Sequence, residues 1–324
     1  MSDRSPETQL VKFLTDVHSI EQQAIVQMRR APEITDDAEL TGIFEKHLEE
    51  SEEHRSRVAA QLERLGADPS SLKDLAGRVG GVGMALFPVF QPDDEAKLVA
   101  HAYSYEHMEI AAYELLGAAA MKLGDQEVAD LAGTNGKEEH QMADRLAGQF
   151  DSVVDLVLAG EKSIDEQLDA YLSDAHAVEG QALELCRGGK RIAGEDRLAE
   201  IFSAHQDQTE RHRNRIEERL EARGPGSSIL KDAALRLGGL NLAAFFAAQP
   251  DTPAKMAGFS FAFEHLEAAL YEILGRVAER AVDGETERTA REICAEERDT
   301  ARQLEGAFSD AMDSALEDLG VEGR

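Results

Sequence analysis

Two stretches of this chain place charge where a helix has no polar face. Residues 102–116 read AYSYEHMEIAAYELL and residues 260–274 read SFAFEHLEAALYEIL. Each is apolar nearly all the way round at helical periodicity, so each belongs inside a bundle. Yet each carries Glu-His-x-Glu at its centre: Glu106, His107 and Glu109 in one, Glu264, His265 and Glu267 in the other. An ionised carboxylate in a low-dielectric core costs several kcal/mol unless it meets a proton, a cation or a metal. What faces these glutamates therefore decides the reading of the whole chain.

The two stretches belong to a duplication. Glu179, His212, Glu264 and Glu297 each stand 158 residues after Glu21, His54, Glu106 and Glu139. A 324-residue chain exceeds the usual size of one core, and two units of about 150 residues suit one domain each. The expected domains are residues 1–157 and 158–324.

Within a copy the signals divide the chain into four long helices. The first runs over about residues 6–30, with Ser5 as cap and Pro6 at the first helical position. Glu21 falls inside its apolar stripe of Leu10, Leu14, Val17, Ala24 and Met28, and Glu179 inside the twin stripe. The second starts near Thr35-Asp36-Asp37 and stops at Gly66 before Asp68-Pro69. Its inward stripe is interrupted by His47 and His54, with Glu50 on the edge; the second copy has His205, His212 and Gln208 there. The third is the Glu-His-x-Glu helix. The fourth starts near Asp125 and sets Glu139, Ala143, Leu146 and Phe150 on one face, matched by Glu297, Ala301, Leu304 and Phe308. No strand-like alternation appears. The fold class is all-α, two tandem four-helix bundles, and the glycine-rich apolar connectors at 73–92 and 231–250 are expected to hold a short crossover helix each.

Composition narrows the partners. Net charge is −30 and Arg outnumbers Lys, with no basic patch for phosphate, so a nucleic-acid partner is disfavoured. Such self-repulsion is tolerable where salt shortens the Debye length to about 3 Å, as in the cytosol of a halophile. Cys186 and Cys294 form no motif and fit small core residues of a reducing, cytoplasmic compartment. The opening residues are polar, without the pattern of a signal peptide, and the longest apolar runs, 79–90 and 237–248, are too short and glycine-rich to span a bilayer, so no membrane partner is expected.

The inward polar residues of the first copy are Glu21, His47, Glu50, His54, Glu106, Glu109 and Glu139, drawn from all four helices. Carboxylates and imidazoles converging in a bundle core suit two metal ions, and mixed oxygen and nitrogen donors favour iron, then manganese, over thiolate-type zinc. Taken singly, His47 reads as a hydrogen-bonded core histidine, Glu138, Glu49, Glu52 and Glu53 as solvated surface, and Tyr113 and Tyr271 as core packing. Four helices each placing a carboxylate at a core slot, in both copies, weigh against solvation.

This plan resembles the ferritin-like superfamily on its rubrerythrin side. FEKHLEESEEH (44–54), YEHMEIAAYELL (105–116) and KEEH (137–140) are similar to the YciE/YciF-type stress-associated family, here in tandem. The resemblance implies a di-iron carboxylate site held by Glu21, Glu50, His54, Glu106, Glu109 and Glu139, with Glu106 and Glu50 bridging and His54 as a terminal nitrogen. In the second copy it implies Glu179, His212, Glu264, Glu267 and Glu297. It further implies reaction with dioxygen or peroxide in stress protection. The chain departs from the superfamily pattern at Ser51, three residues before His54, and at Met142, Ala143, Thr300 and Ala301 after the fourth-helix glutamates. Gln208 removes a carboxylate, so the second site is expected to hold one metal or none. No cysteine cluster delivers electrons, so turnover calls for an external electron donor. The two copies are expected to pair as an intramolecular pseudo-dimer, which disfavours a closed storage shell; association into a homo-oligomer stays open. The rival reading is a metal-free helical scaffold in which His18, His47, His54, His107 or bound protons satisfy the glutamates.

Overall fold

The computed structural model describes residues 5–67, 94–192, 196–224 and 253–318. The connectors at 73–92 and 231–250, with the crossover helix expected in each, lie outside the described residues. The helices of the first half are α1 (Pro6–Met28), α2 (Ala38–Arg64), α3 (Glu95–Leu123), α4 (Gln126–Ala147) and the short α5 (Phe150–Leu158). Those of the second half are α6 (Ile164–Ile192), α7 (Asp196–Arg223), α8 (Pro253–Arg280), α9 (Gly284–Glu305) and α10 (Phe308–Asp318). A single 3₁₀ turn, Ala31–Glu33, joins α1 to α2, and there is no strand among the described residues.

Local chemistry accounts for the helix ends. Ser5 Oγ accepts from Thr8 N–H at the start of α1, and Asp37, Asp94 and Asp125 cap α2, α3 and α4 in the same way. Gly66 has φ 74°, which lets Ala67 N–H reach Leu62 C=O and Gly66 N–H reach Glu63 C=O, closing the end of α2. Gly124 at φ 82° ends α3 likewise, whereas its counterpart 158 residues on is Val282, an exposed β-branched residue at φ 58°.

Each half packs α1 with α2 and α3 with α4, or α6 with α7 and α8 with α9, to complete a four-helix bundle. The fourth helix is shorter than its apolar stripe suggests. It stops at Ala147, and the chain turns at Gly148-Gln149 before α5 begins at Phe150. That turn frees Phe150, Val153, Val154 and Val157, a buried stripe at helical spacing, to pack on both α3 and α8. Phe308, Ala311, Met312, Ala315 and Leu316 of α10 do the same from the other half.

The halves meet along α3 and α8. Ser104 Oγ donates to Ala262 C=O at 2.7 Å, and the rings of His107 and His265 stack with centroids 3.4 Å apart and planes 18° from parallel. Both pairs are separated by 158 residues, so equivalent positions of the two copies touch. Burial depresses the two imidazoles, His107 to about 4 and His265 to about 2, so the stack is uncharged at neutral pH. Reciprocal ion pairs flank it: Lys97 to Asp174 at 2.9 Å and Lys255 to Asp16 at 2.7 Å. Close approach of the backbones is marked by Gly258, where a Cβ would stand 3.1 Å from Leu115 Cδ1. No described helix is long and apolar enough to cross a membrane.

Candidate metal centres

The residues that interrupt the apolar stripes converge at the centre of each bundle. In the first half α1 supplies Glu21, α2 supplies His47 and His54, α3 supplies Glu106 and Glu109, and α4 supplies Glu139, all of them buried. Seven residues are close to two helical turns, so His47 and His54 share one face of α2, one above the other. Glu106 and Glu109, three apart, are neighbours on α3.

Two groups form, each with its ligand atoms within 4.8 Å of one another. The first is His47, Glu106, Glu109 and Glu139, and the second is Glu21, His54 and Glu139. Glu139 belongs to both. Its Oε2 lies 3.7 Å from His47 Nε2, while its Oε1 lies 2.7 Å from His54 Nδ1. Glu106 Oε2 stands 3.0 Å from His47 Nε2, and Glu21 Oε1 stands 3.6 Å from His54 Nδ1. The second half repeats this: His205 with Glu264, Glu267 and Glu297, and His212 with Glu179 and Glu297. There Glu297 Oε1 is 2.7 Å and Glu179 Oε1 3.6 Å from His212 Nδ1, and Glu264 Oε1 is 3.1 Å from His205 Nε2.

Hydrogen bonding within the protein leaves these groups unsatisfied. Both carboxylate oxygens of Glu109, Glu139 and Glu267 are buried without a hydrogen-bond partner, as are one oxygen each of Glu21, Glu106, Glu179, Glu264 and Glu297. The short approach of His54 Nδ1 to Glu139 lies off the hydrogen-bonding directions. Native proteins leave few buried polar atoms unpaired, and a cluster of them this close together fits a cation-binding group. The charges agree. Four buried carboxylates per half carry four negative charges, which two neutral imidazoles leave standing and two divalent cations balance.

Without cations, protons do part of that work. Burial, with Glu139, Glu21 and Glu106 nearby, pushes Glu109 well above the usual carboxylate range, and burial raises Glu139 to about 8. Glu267 follows Glu109, Glu179 rises to about 8 and Glu264 to about 7. Glu297 differs: burial opposes its charge, but His212 and His205 hold it below its ordinary value. The imidazoles resist desolvation because carboxylates surround them, and reach about 10 at His47, 11 at His54, 10 at His205 and 9 at His212.

These shifts set the sign of a pH dependence. A raised imidazole stabilises the fold fully below its unfolded value near 6.5 and loses that contribution as pH climbs through about 10. A raised buried carboxylate acts alike, because the fold holds a proton that the unfolded chain releases above about 4.5. The metal-free Tm is therefore expected to fall from pH 6.5 to pH 10. Divalent-cation affinity, measured calorimetrically in two buffers, is expected to rise over the same interval with proton release. A metal-free Tm that climbs across it would contradict the protonation assigned to the cluster.

Three residues stand differently from expectation. Glu50 lies outside the cluster, a quarter exposed, where Arg145 holds it at 3.1 Å and His47 Nδ1 stands 3.4 Å away. The His47 contact and Arg145 keep it down to about 2. The carboxylate common to both groups of the first half is Glu139, not Glu50 or Glu106. Gln208 likewise lies outside the inner set, so the thinning expected of the second half does not touch its buried ligands; Gln208 Nε2 instead donates to Glu296 at 2.9 Å. Glu21, His54, Glu106, Glu109 and Glu139, and Glu179, His212, Glu264, Glu267 and Glu297, all lie at the centres.

His47 and His205, which the seven-residue spacing sets on the inward stripe but which stand outside the ligand sets that the resemblance implies, join the two groups with Glu106 and Glu264. From the sequence alone, Tyr113 and Tyr271 read as packing. Tyr113 Oη donates to Glu21 and Tyr271 Oη to Glu179, and Asn135 donates to Tyr113 at 2.8 Å. Each tyrosine thus ties Oε1 of its carboxylate and leaves Oε2 buried without a hydrogen-bond partner.

Residues 5–159 and 163–317 each match the family described as "Domain of unknown function (DUF892)". The chain belongs to the DUF892 family. Its two DUF892 repeats carry the two sets of centres, and every inner ligand falls within a matched segment. No solved structure matches the chain.

Proposed function

We propose that each DUF892 repeat is a ferritin-like di-iron carboxylate domain that reacts with dioxygen or peroxide in oxidative or osmotic stress. The observation that carries this reading is the surplus of buried, unpartnered carboxylate in each bundle, balanced by two divalent cations. The donor set is oxygen and nitrogen. Burial pushes the Cys186 and Cys294 thiols up, so neither offers a thiolate at neutral pH. Such a set suits iron and also accepts manganese.

Carboxylate-bound ferrous iron, when present, supplies one-electron reduction of the oxidant. The chain's own part is to hold the ions and exclude water. Glu139 and Glu297 offer one oxygen to each of two positions. His47, His54, His205 and His212 offer one nitrogen each, and Glu21, Glu106 and Glu109, with their counterparts, complete the sets. Tyr113 and Tyr271 fix Glu21 and Glu179 by donating to them. With no cysteine cluster in the chain, reduction after each turnover falls to an external electron donor. We place this activity in the cytoplasm, with the two halves acting as a pseudo-dimer; their paired histidines and reciprocal lysine–aspartate bridges support that arrangement.

Anaerobic addition of ferrous ion followed by air tests the reading. Oxygen uptake in proportion to bound iron, with a near-ultraviolet ferric–carboxylate band, is the expected result. Ferrous oxidation no faster than in buffer would contradict it.

A further inference from the structure

Every imidazole of the inner clusters has a second nitrogen, and that nitrogen points outward. His54 Nδ1 faces Glu139, so its Nε2 leaves the cluster and meets Glu138 Oε2 at 2.7 Å. His212 repeats the arrangement, with Nδ1 on Glu297 and Nε2 on Glu296 Oε2 at 3.0 Å. Glu138 and Glu296 stand 158 residues apart, so the duplication preserves the pair. An ionised carboxylate only accepts hydrogen bonds, so the nitrogen facing it must carry the proton. With a cation in place of the Nδ1 proton, the lone pair of the neutral ring lies on Nδ1, on the side of Glu139 or Glu297.

Resting on the di-metal reading above, we propose that Glu138 and Glu296 are positioning residues that fix His54 and His212 as Nδ1 donors to the metal. A carboxylate behind a ligating imidazole sets its tautomer and ring angle and raises its basicity.

Each carboxylate is itself held. Arg57 Nη1 donates to Glu138 Oε2 at 2.7 Å and to Asn135 Oδ1 at 2.8 Å, and Asn135 donates to Tyr113, which donates to Glu21. The outer support of His54 and the inner carboxylate beside it are thus joined by one hydrogen-bonded chain. In the second half position 293 is Ile where the first has Asn135, and that chain is broken. Gln208 takes over the task by donating to Glu296 at 2.9 Å. Thr300 Oγ1 then reaches Gln208 Oε1 at 3.5 Å and lies 3.4 Å from His205 Nδ1. The amide at the position of Glu50 therefore supports His212 through Glu296.

The test uses the full chain and cobalt(II), whose visible spectrum reports ligand geometry. Glu138→Ala combined with Glu296→Ala is expected to weaken Co²⁺ binding about 10- to 100-fold and to shift the visible bands of the bound ion. Glu138→Gln with Glu296→Gln keeps the shape and an acceptor oxygen, and is expected to fall between wild type and the alanine variant. Should the alanine variant fail to fold by circular dichroism, the glutamine variant carries the test alone. Glu53→Gln, which touches Arg57 from the exposed side only, is expected to bind as wild type. Wild-type affinity and an unchanged spectrum in both double variants would overturn the positioning role while leaving the metal centres in place. No Co²⁺ binding by wild type would overturn the di-metal reading and this inference with it.

Discussion

A chain carrying Glu139→Ala is expected to take up about half the divalent cations of wild type, and one carrying Glu139→Ala with Glu297→Ala none. Glu139 belongs to both ligand groups of the first half and Glu297 to both of the second. Each places one oxygen toward each imidazole of its half, so a single truncation strips a donor from two positions at once. Removal of a ligand seen by one cation alone, such as Glu21, leaves the other set complete. The measurement is anaerobic equilibrium dialysis against ferrous ion with metal analysis of the protein. Glu21→Ala losing as much metal as Glu139→Ala would show that Glu139 is not shared.

The second large effect has opposite signs with and without metal. Glu109 buries both carboxylate oxygens with no hydrogen-bond partner, and burial with three neighbouring glutamates drives it to hold a proton. Replacement by methionine, of similar length and apolar, removes that desolvated group. Metal-free Glu109→Met is therefore expected to gain about 1–3 kcal/mol. At roughly 2–4 °C per kcal/mol for a domain of this size, its Tm rises by several degrees. With excess cation the order reverses, because wild type gains RT ln(1 + [L]/Kd) and the variant, short of one donor, gains less. Thermal melts of both proteins with chelator and with excess Mn²⁺ would show the crossing. A metal-free variant less stable than wild type would mean that Glu109 is satisfied inside the protein, as the metal-free scaffold requires.

Much of this was legible in the chain. The 158-residue offset exposed the duplication because substitutions between copies spared the positions whose charge is anomalous. Glu21, Glu106, Glu109 and Glu139 stood out because a carboxylate within an apolar stripe has no surface explanation. The stripe set His47 inward and Glu50 on its edge, whereas the resemblance implied Glu50 as the ligand; three residues along a helix differ by only about 60° in direction, and the packing of α2 against α4 leaves His47 inside. Glu138 was lost among the surface acids of a chain with net charge −30, and its partner His54 lies 84 residues away. The break at Gly148 and the stacking of His107 on His265 depend on contact between the halves, which no periodicity within one copy encodes.

The central claim is that each half holds two cations on four carboxylates and two imidazoles. Anaerobic ferrous titration of the wild-type chain, with bound metal counted per protein, tests it most directly. The geometry of the four ligand groups predicts saturation at about four ions per chain. Saturation at zero, or uptake unchanged in Glu139→Ala with Glu297→Ala, would contradict it.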